Sequence, residues 1–206
     1  MSVMRDVYVK VCGLSTPESV RVACEAGADA VGFVHAVGSP RHLEAAAIRD
    51  LVAGVECGVD TVLVVARTSV DEAVDMAAAT GVSVVQFHGR YGPEDFRRAA
   101  RLFPRIWRAT SLASNPSLTV GVYGEEALLL DAPTAGSGER WDVSSLEGRR
   151  PTGMWLLAGG LAPANVAGAI AAAQPWGVDV SSGVESAPGV KDHAKIREFV
   201  YNAQHA

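Results

Sequence analysis

The chain has 206 residues, of which 49% are hydrophobic and 20% charged, with 18 Lys plus Arg against 23 Asp plus Glu and a formal net charge of −5. This is the composition of a folded globular protein, long enough to bury a core unaided, and it excludes both a general nucleic-acid binder with its basic excess and a bilayer-spanning chain with its run of about 20 apolar residues. The three cysteines, Cys12, Cys24 and Cys57, are odd in number and make no paired spacing, so no disulfide framework is expected and a reducing, cytoplasmic setting is.

Eight short apolar runs follow one another along the chain, at 7–12, 29–34, 61–66, 83–88, 105–110, 127–131, 154–158 and 177–181. Most are continuous Val/Leu-rich stretches rather than alternating ones, as in strands buried on both faces. Helical spacing fills the segments between them. Thr16 and Pro17 read as an N-cap and first helical residue, with Val20, Ala23 and Cys24 on one face. Ser69 and Glu72 form a capping box ahead of Val74, Ala77 and Ala78. Helices are expected near 118–124 and 144–148, and Asp192 opens a last one with Ile196, Phe199 and Val200 on its inner face. Gly27-Ala-Asp29, Gly58-Val-Asp60, Gly81-Val-Ser83 and Gly177-Val-Asp179 each read as a helix end leading into a strand, the glycine supplying a left-handed turn.

Eight β–α units in 206 residues leave about 26 residues each, enough for a strand, a short helix and two tight loops. Alternating strands and helices with right-handed crossovers give a parallel sheet. With no linker and no second zone of composition, the pattern favours one small α/β domain over 1–206, a closed (β/α)8 barrel of the TIM type with eight parallel strands. A doubly wound open sheet is the alternative. In such a barrel the acidic residues that open strands, Asp29, Asp60 and Asp179, belong to the stabilising face, and the site lies at the opposite, C-terminal strand ends.

Those strand ends carry Cys12, His35, Arg41, Gln86, His88, Arg108 and Asp131, with the loops Gly136-Ser-Gly138, Gly159-Gly160 and Ser181-Ser182-Gly183. Cys12 and Asp131 project from the first and sixth runs toward one mouth and form a candidate acid–base pair. The glycines and hydroxyls after the seventh and eighth runs suit an anion, which backbone N–H groups approach closely where no side chain intervenes. His88 and Gln86 read either as substrate contacts or as supports behind them. Lys10 shares the strand parity of Cys12 and so points into the barrel, where its charge needs a partner. Trp107, Trp155 and Trp176 read as packing, whereas Trp141 either packs or touches substrate. No nucleotide loop, no hydrolase elbow and no metal-ligand spacing among His35, His42, His88, His193 and His205 is evident, so no cofactor and no metal are expected. A cofactor-free conversion of a small phosphorylated molecule fits these features.

The same motifs, taken in order, resemble one family. Lys10-Val-Cys-Gly-Leu14, Gly27-Ala-Asp-Ala-Val-Gly-Phe33, Ser39-Pro-Arg41, Val85-Gln-Phe-His-Gly89, Leu130-Asp131, Leu157-Ala-Gly-Gly-Leu161, Gly177-Val-Asp-Val-Ser-Ser-Gly-Val-Glu185 and Pro188-Gly-Val-Lys-Asp192 are similar to those of the phosphoribosylanthranilate isomerases of tryptophan biosynthesis. The resemblance implies an Amadori rearrangement in which Cys12 is the general base and Asp131 the general acid. It implies that Arg41 meets the anthranilate carboxylate, and that Gly159, Gly160, Ser181, Ser182 and Gly183 cradle the phosphate. A small phosphorylated substrate is the expected partner of a monomer or homodimer, with no nucleic acid and no membrane. The chain departs from the family pattern at 35–38, at 135–143 and at Arg67, positions expected at the anthranilate end of the mouth. A different phosphosugar isomerase and a non-catalytic phosphate-ligand binder are the competing readings.

Overall fold

The computed structural model describes residues 7–114, 116–131, 146 and 148–206. The eight expected runs form strands β1 (Tyr8–Cys12), β2 (Ala30–His35), β3 (Asp60–Val65), β4 (Val84–His88), β5 (Ile106–Ser111), β6 (Ala127–Asp131), β7 (Trp155–Leu157) and β8 (Gly177–Val180). They pair in sequence order as an all-parallel closed barrel, and β8 returns to β1 with Lys10 opposite Asp179. The helices described are α1 (Pro17–Glu25), α2 (Ala45–Val52), α3 (Val70–Thr80), α4 (Pro93–Leu102), α5 (Val166–Ala173) and α6 (His193–Gln204), and a small hairpin, β9 (Glu185–Ala187) with β10 (Val190–Lys191), follows β8. No helix among the described residues is long and apolar enough to cross a membrane.

Strand alternation divides the apolar residues into two cores. Val9, Val11, Val31, Phe33, Leu63 and Phe87 face the helices, where Val20, Ile48, Ala73, Phe96, Ile170 and Phe199 meet them. Ala30, Val62, Val84, Trp107, Ala127, Leu129 and Leu156 fill the barrel itself. The N-terminal end of the barrel is closed by Tyr8 stacked on Trp176 at 4.4 Å and by the Trp107 indole donating to Glu126 at 2.9 Å. At that end Asp29 accepts from the Val9 N–H, and Asp60 accepts from the Tyr8 hydroxyl and pairs with Arg105. Both carboxylates hold strands together, as their place in the sequence indicated.

Local chemistry sets the helix boundaries. The Thr16 hydroxyl accepts from Ser19, Ser69 and Glu72 close a reciprocal capping box, and Asp192 accepts from Ala194 and Lys195. The α3 face turned inward is Val70, Ala73, Ala77 and Thr80; Ala78 is exposed, so the expected apolar stripe is rotated toward the cap. Gly81 ends α3 in the left-handed conformation as expected. Gly58 lies well past the end of α2 in the turn into β3, and Gly177 is a strand residue. Gly177 is needed because a Cβ there would sit 2.7 Å from the Tyr8 carbonyl, while Gln174 at φ 48 makes the left-handed turn that ends α5.

The helix expected near 118–124 does not form. A 3-10 turn at Leu112–Ser114 and a turn through left-handed Gly121 and Gly124 take its place. The reason is Arg108, which was expected in the mouth. Its strand neighbours Trp107 and Ala109 face the barrel interior, so Arg108 points outward instead. There it pairs with buried Glu125 at 2.8 Å and donates to the Ser117 and Thr119 carbonyls, while Glu125 accepts from the Tyr123 N–H, so the Thr119 carbonyl and Tyr123 N–H that a helix would join are both taken. The expected helix near 144–148 lies outside the described residues except for Leu146 and Gly148, as do the loop 136–138 and Trp141.

Candidate active site

The C-terminal strand ends surround one cavity of about 310 Å³. Of the residues expected there, Cys12, Arg41, Gln86, His88, Asp131, Gly159, Gly160, Ser181 and Ser182 line it. Gly183 does not. It is pressed against the turn that follows β7, where an added Cβ would sit 1.8 Å from the Leu161 carbonyl oxygen. Its role is to let the two Gly/Ser loops touch.

Cys12 ends β1 with its side chain inward and 6% exposed. Gly32 on β2 makes room for the sulfur, since a Cβ there would come within 2.8 Å of Sγ. Burial pushes the thiol above its ordinary range; Lys10 and Lys191 pull it down, and Asp179 adds to the upward push. Lys10, one inward position deeper on the same strand, is fully buried and pairs with Asp179 at 2.5 Å. Burial by itself would lower the ammonium, but Asp179 and Cys12 reverse this and hold it charged. Asp179 is therefore not part of the stabilising face. It lies inside the barrel and lines the cavity, because Gly177 and Asp179 share the inward parity of β8.

Asp131 closes β6 on the cavity, with its Oδ2 3.8 Å from the His88 Nε2, beyond hydrogen-bond distance. Gln86 lies one inward position beneath His88 on β4 and is almost wholly buried. On the opposite wall Gly159 and Gly160 take φ of 82° and 67°, and Asn165 braces their turn by donating to the Gly160 carbonyl and accepting from the Ala162 N–H. Beside them a 3-10 turn starts at Ser182, so first-turn N–H groups and the Ser181 and Ser182 hydroxyls adjoin the same wall.

Glu185 ties this wall to Arg41. It accepts from the Arg41 Nε at 2.6 Å and Nη2 at 2.8 Å, and from the Lys191 ammonium at 2.8 Å, while Lys191 also donates to the Ser181 carbonyl. Burial would raise this carboxyl, but Arg41 and Lys191 outweigh it and hold it below the usual carboxylate range. Burial lowers the Lys191 ammonium despite Glu185. Glu185 and Lys191 stood within quoted motifs without a role; their contact across the hairpin of β9 and β10 reveals one.

Two expectations around the rim change. His35 ends β2 pointing out of the barrel, opposite in parity to the inward Val34, and meets His42 and Glu44 on the following loop, their polar atoms within 4.8 Å of one another. Sequence spacing missed this group because the loop doubles back. The His42 Nδ1 accepts from the Ala36 N–H, so its Nε2 carries the proton and donates to Glu44 at 3.0 Å. That arrangement is a hydrogen-bond chain, with the His42 lone pair already in use. Arg67, exposed and at φ 64, borders a neighbouring groove that shares Ala66 and His88 with the cavity, rather than the cavity itself.

Comparison with known proteins points one way. Residues 9–202 match the profile of the family described as N-(5'phosphoribosyl)anthranilate (PRA) isomerase. An N-(5'-phosphoribosyl)anthranilate isomerase of Erythrobacter litoralis is 41% identical, with 96% of this chain and 99% of that protein covered. The crystal structure of TrpF from Jonesia denitrificans superposes with a TM-score of 0.92 at 61% identity, over 96% of each chain. A phosphoribosyl anthranilate isomerase in complex with reduced 1-(o-carboxyphenylamino)-1-deoxyribulose 5-phosphate follows at a TM-score of 0.86 and 33% identity, over 97% of this chain and all of that one. With the match running through both walls of the cavity and the whole barrel, the chain belongs to the N-(5'-phosphoribosyl)anthranilate isomerase family.

Proposed function

We propose that the chain converts N-(5'-phosphoribosyl)anthranilate to 1-(2-carboxyphenylamino)-1-deoxyribulose 5-phosphate, with Cys12 as general base and Asp131 as general acid. The observation that carries this reading is the convergence of Cys12 from β1 and Asp131 from β6 on one cavity whose far wall is the Gly159-Gly160 and Ser181-Ser182 loops.

The chemistry is an internal redox exchange: C1 is reduced as C2 is oxidised, and protons are all that the protein must move. Asp131 delivers a proton to the furanose ring oxygen. The C1–O bond breaks toward that oxygen, and the anilino nitrogen lone pair forms the C1=N bond of a Schiff base. The Cys12 thiolate then takes the proton from C2. The C–H electrons become a C1=C2 bond and the C=N electrons return to nitrogen; the resulting enolamine gains a proton at C1 as its C2 hydroxyl gives up one, leaving the 2-ketone. Lys10 and Lys191 favour the thiolate that this step requires.

Binding follows from the remaining groups. The 5-phosphate is met by the amides and hydroxyls of the two Gly/Ser loops, and Lys191 adds positive charge beneath them. Glu185 takes Nε and Nη2 of Arg41, leaving Nη1 for the anthranilate carboxylate. Val34, Ala36, Val64 and Ala66 offer the ring an apolar wall. The test is growth of a tryptophan auxotroph lacking this step, together with consumption of N-(5'-phosphoribosyl)anthranilate by the purified chain. Growth and turnover support the reading; failure of both overturns it.

A further inference from the structure

Gln86 is 2% exposed, lines the cavity, and has a buried Oε1 with no hydrogen-bond partner among the described residues. The other buried polar side chains of the barrel interior are satisfied: Lys10 by Asp179, and the Trp107 indole by Glu126. An unpartnered buried oxygen costs the fold stability, and a leucine or methionine of similar size would serve the core better. A buried amide oxygen without a partner at the floor of a ligand cavity is therefore a group waiting for a ligand.

Its place says which part of the ligand. The phosphate has the two Gly/Ser loops, and the aromatic ring has Arg41 and the apolar wall. The hydroxyls of the ribose-derived chain are left, and they must lie between Cys12 and Asp131 for the proton transfers to occur. Gln86 sits one inward position below His88, which faces Asp131 at 3.8 Å. The oxygen on C2 begins as a hydroxyl that donates and ends as a carbonyl that only accepts. An amide, carrying both an acceptor and two donors, can hydrogen-bond it in either form.

Resting on the isomerase reading above, we infer that Gln86 is a substrate-binding residue whose amide holds the hydroxyls of the ribose-derived chain, the C2 oxygen foremost. The arrangement exchanges fold stability for substrate recognition, and the experiment reads both. Gln86→Met, close in shape, and Gln86→Leu are compared with the parent chain for thermal midpoint, for kcat/KM on N-(5'-phosphoribosyl)anthranilate, and for inhibition by inorganic phosphate. Both variants are expected to melt at or above the parent midpoint and to lose roughly 10- to 100-fold in kcat/KM. The phosphate inhibition constant is expected to stay unchanged. A Met variant within about twofold of the parent kcat/KM, or a lowered midpoint in both variants, overturns the assignment and makes the amide a core group. A parent chain that turns over no substrate fails the isomerase reading itself; an active parent with indifferent variants fails Gln86 alone.

Discussion

Lys10 and Asp179 are cross-strand partners on β1 and β8 and meet at 2.5 Å inside the barrel, one inward position below the Cys12 thiol. The pair sets two properties at once. It neutralises a fully buried ammonium, and it places opposite charges beside a sulfur whose ionisation the proposed chemistry needs.

Replacing Lys10 by Met should therefore act on stability and on pH dependence together. Asp179 would be left buried without its cation, a loss of about 3–5 kcal/mol. The thiol would lose a group that pulls its pKa down, so the alkaline limb of the pH–rate profile should move to higher pH. Denaturant titration and a pH–rate profile measure the two effects separately. Unchanged stability would show that Asp179 finds another partner.

Burial raises the Cys12 pKa, and Lys10 and Lys191 do not cancel the rise. Below that pKa the thiolate fraction grows tenfold per pH unit. Because the active form also needs Asp131 protonated, kcat/KM should be bell-shaped, its alkaline limb falling away once the pH passes the raised thiol pKa, and a profile without that limb would remove the thiol from the rate-limiting proton transfer. Cys12→Ser and Asp131→Asn should each lower turnover by about 10²- to 10⁴-fold, the usual contribution of one acid or base. A product analogue should still bind both variants, as isothermal titration would show.

Gly183→Ala tests how the two Gly/Ser loops are joined. An alanine Cβ would collide with the Leu161 carbonyl, at 1.8 Å without relaxation. Forcing the loops apart should cost about 1–3 kcal/mol and weaken inhibition by inorganic phosphate. Phosphate inhibition equal to that of the parent would mean that the cradle does not depend on this contact.

Glu185→Gln separates the Arg41 clamp from the rest of the site. Because the Glu185 carboxyl is held below its unfolded value of about 4.3, its charged form stabilises the fold above that pH. The contribution is lost as pH falls through the lower folded pKa. The variant should melt below the parent at pH 7, and the gap should close on acidification below about pH 4. With Arg41 losing its ion pair and one of its two hydrogen bonds to this residue, KM for the substrate should rise more than kcat falls. A gap that widens on acidification would contradict the linkage.

Much of the architecture was legible because the signals were periodic or chemical. Eight Val/Leu runs at even spacing can bury both faces only in a covered parallel sheet, and Thr16, Ser69 and Asp192 announce their helices by hydrogen bonds made within three residues. The expected helix near 118–124 failed because Arg108 and Glu125, 17 residues apart, form a buried ion pair that takes the Thr119 carbonyl and the Tyr123 N–H. Nothing local in either residue records that contact.

By itself the sequence determined the strands, and their parity puts Cys12, Gln86, His88 and Asp131 on inward positions, although the same reading sent His35 and Arg108 to the mouth and Asp179 to the opposite face. What tertiary structure decided was every relation between residues far apart in the chain. Asp179 became the partner of Lys10, 169 residues away, only because closing the barrel brings β8 beside β1. Glu185 reached Arg41 across 144 residues, Gly183 met Leu161 where two loops cross, and His35 found His42 where a loop turns back. Local propensity and periodicity act over a few residues, whereas pairing of charges and exclusion of volume act through space, and closure of the barrel fixes which distant residues share that space.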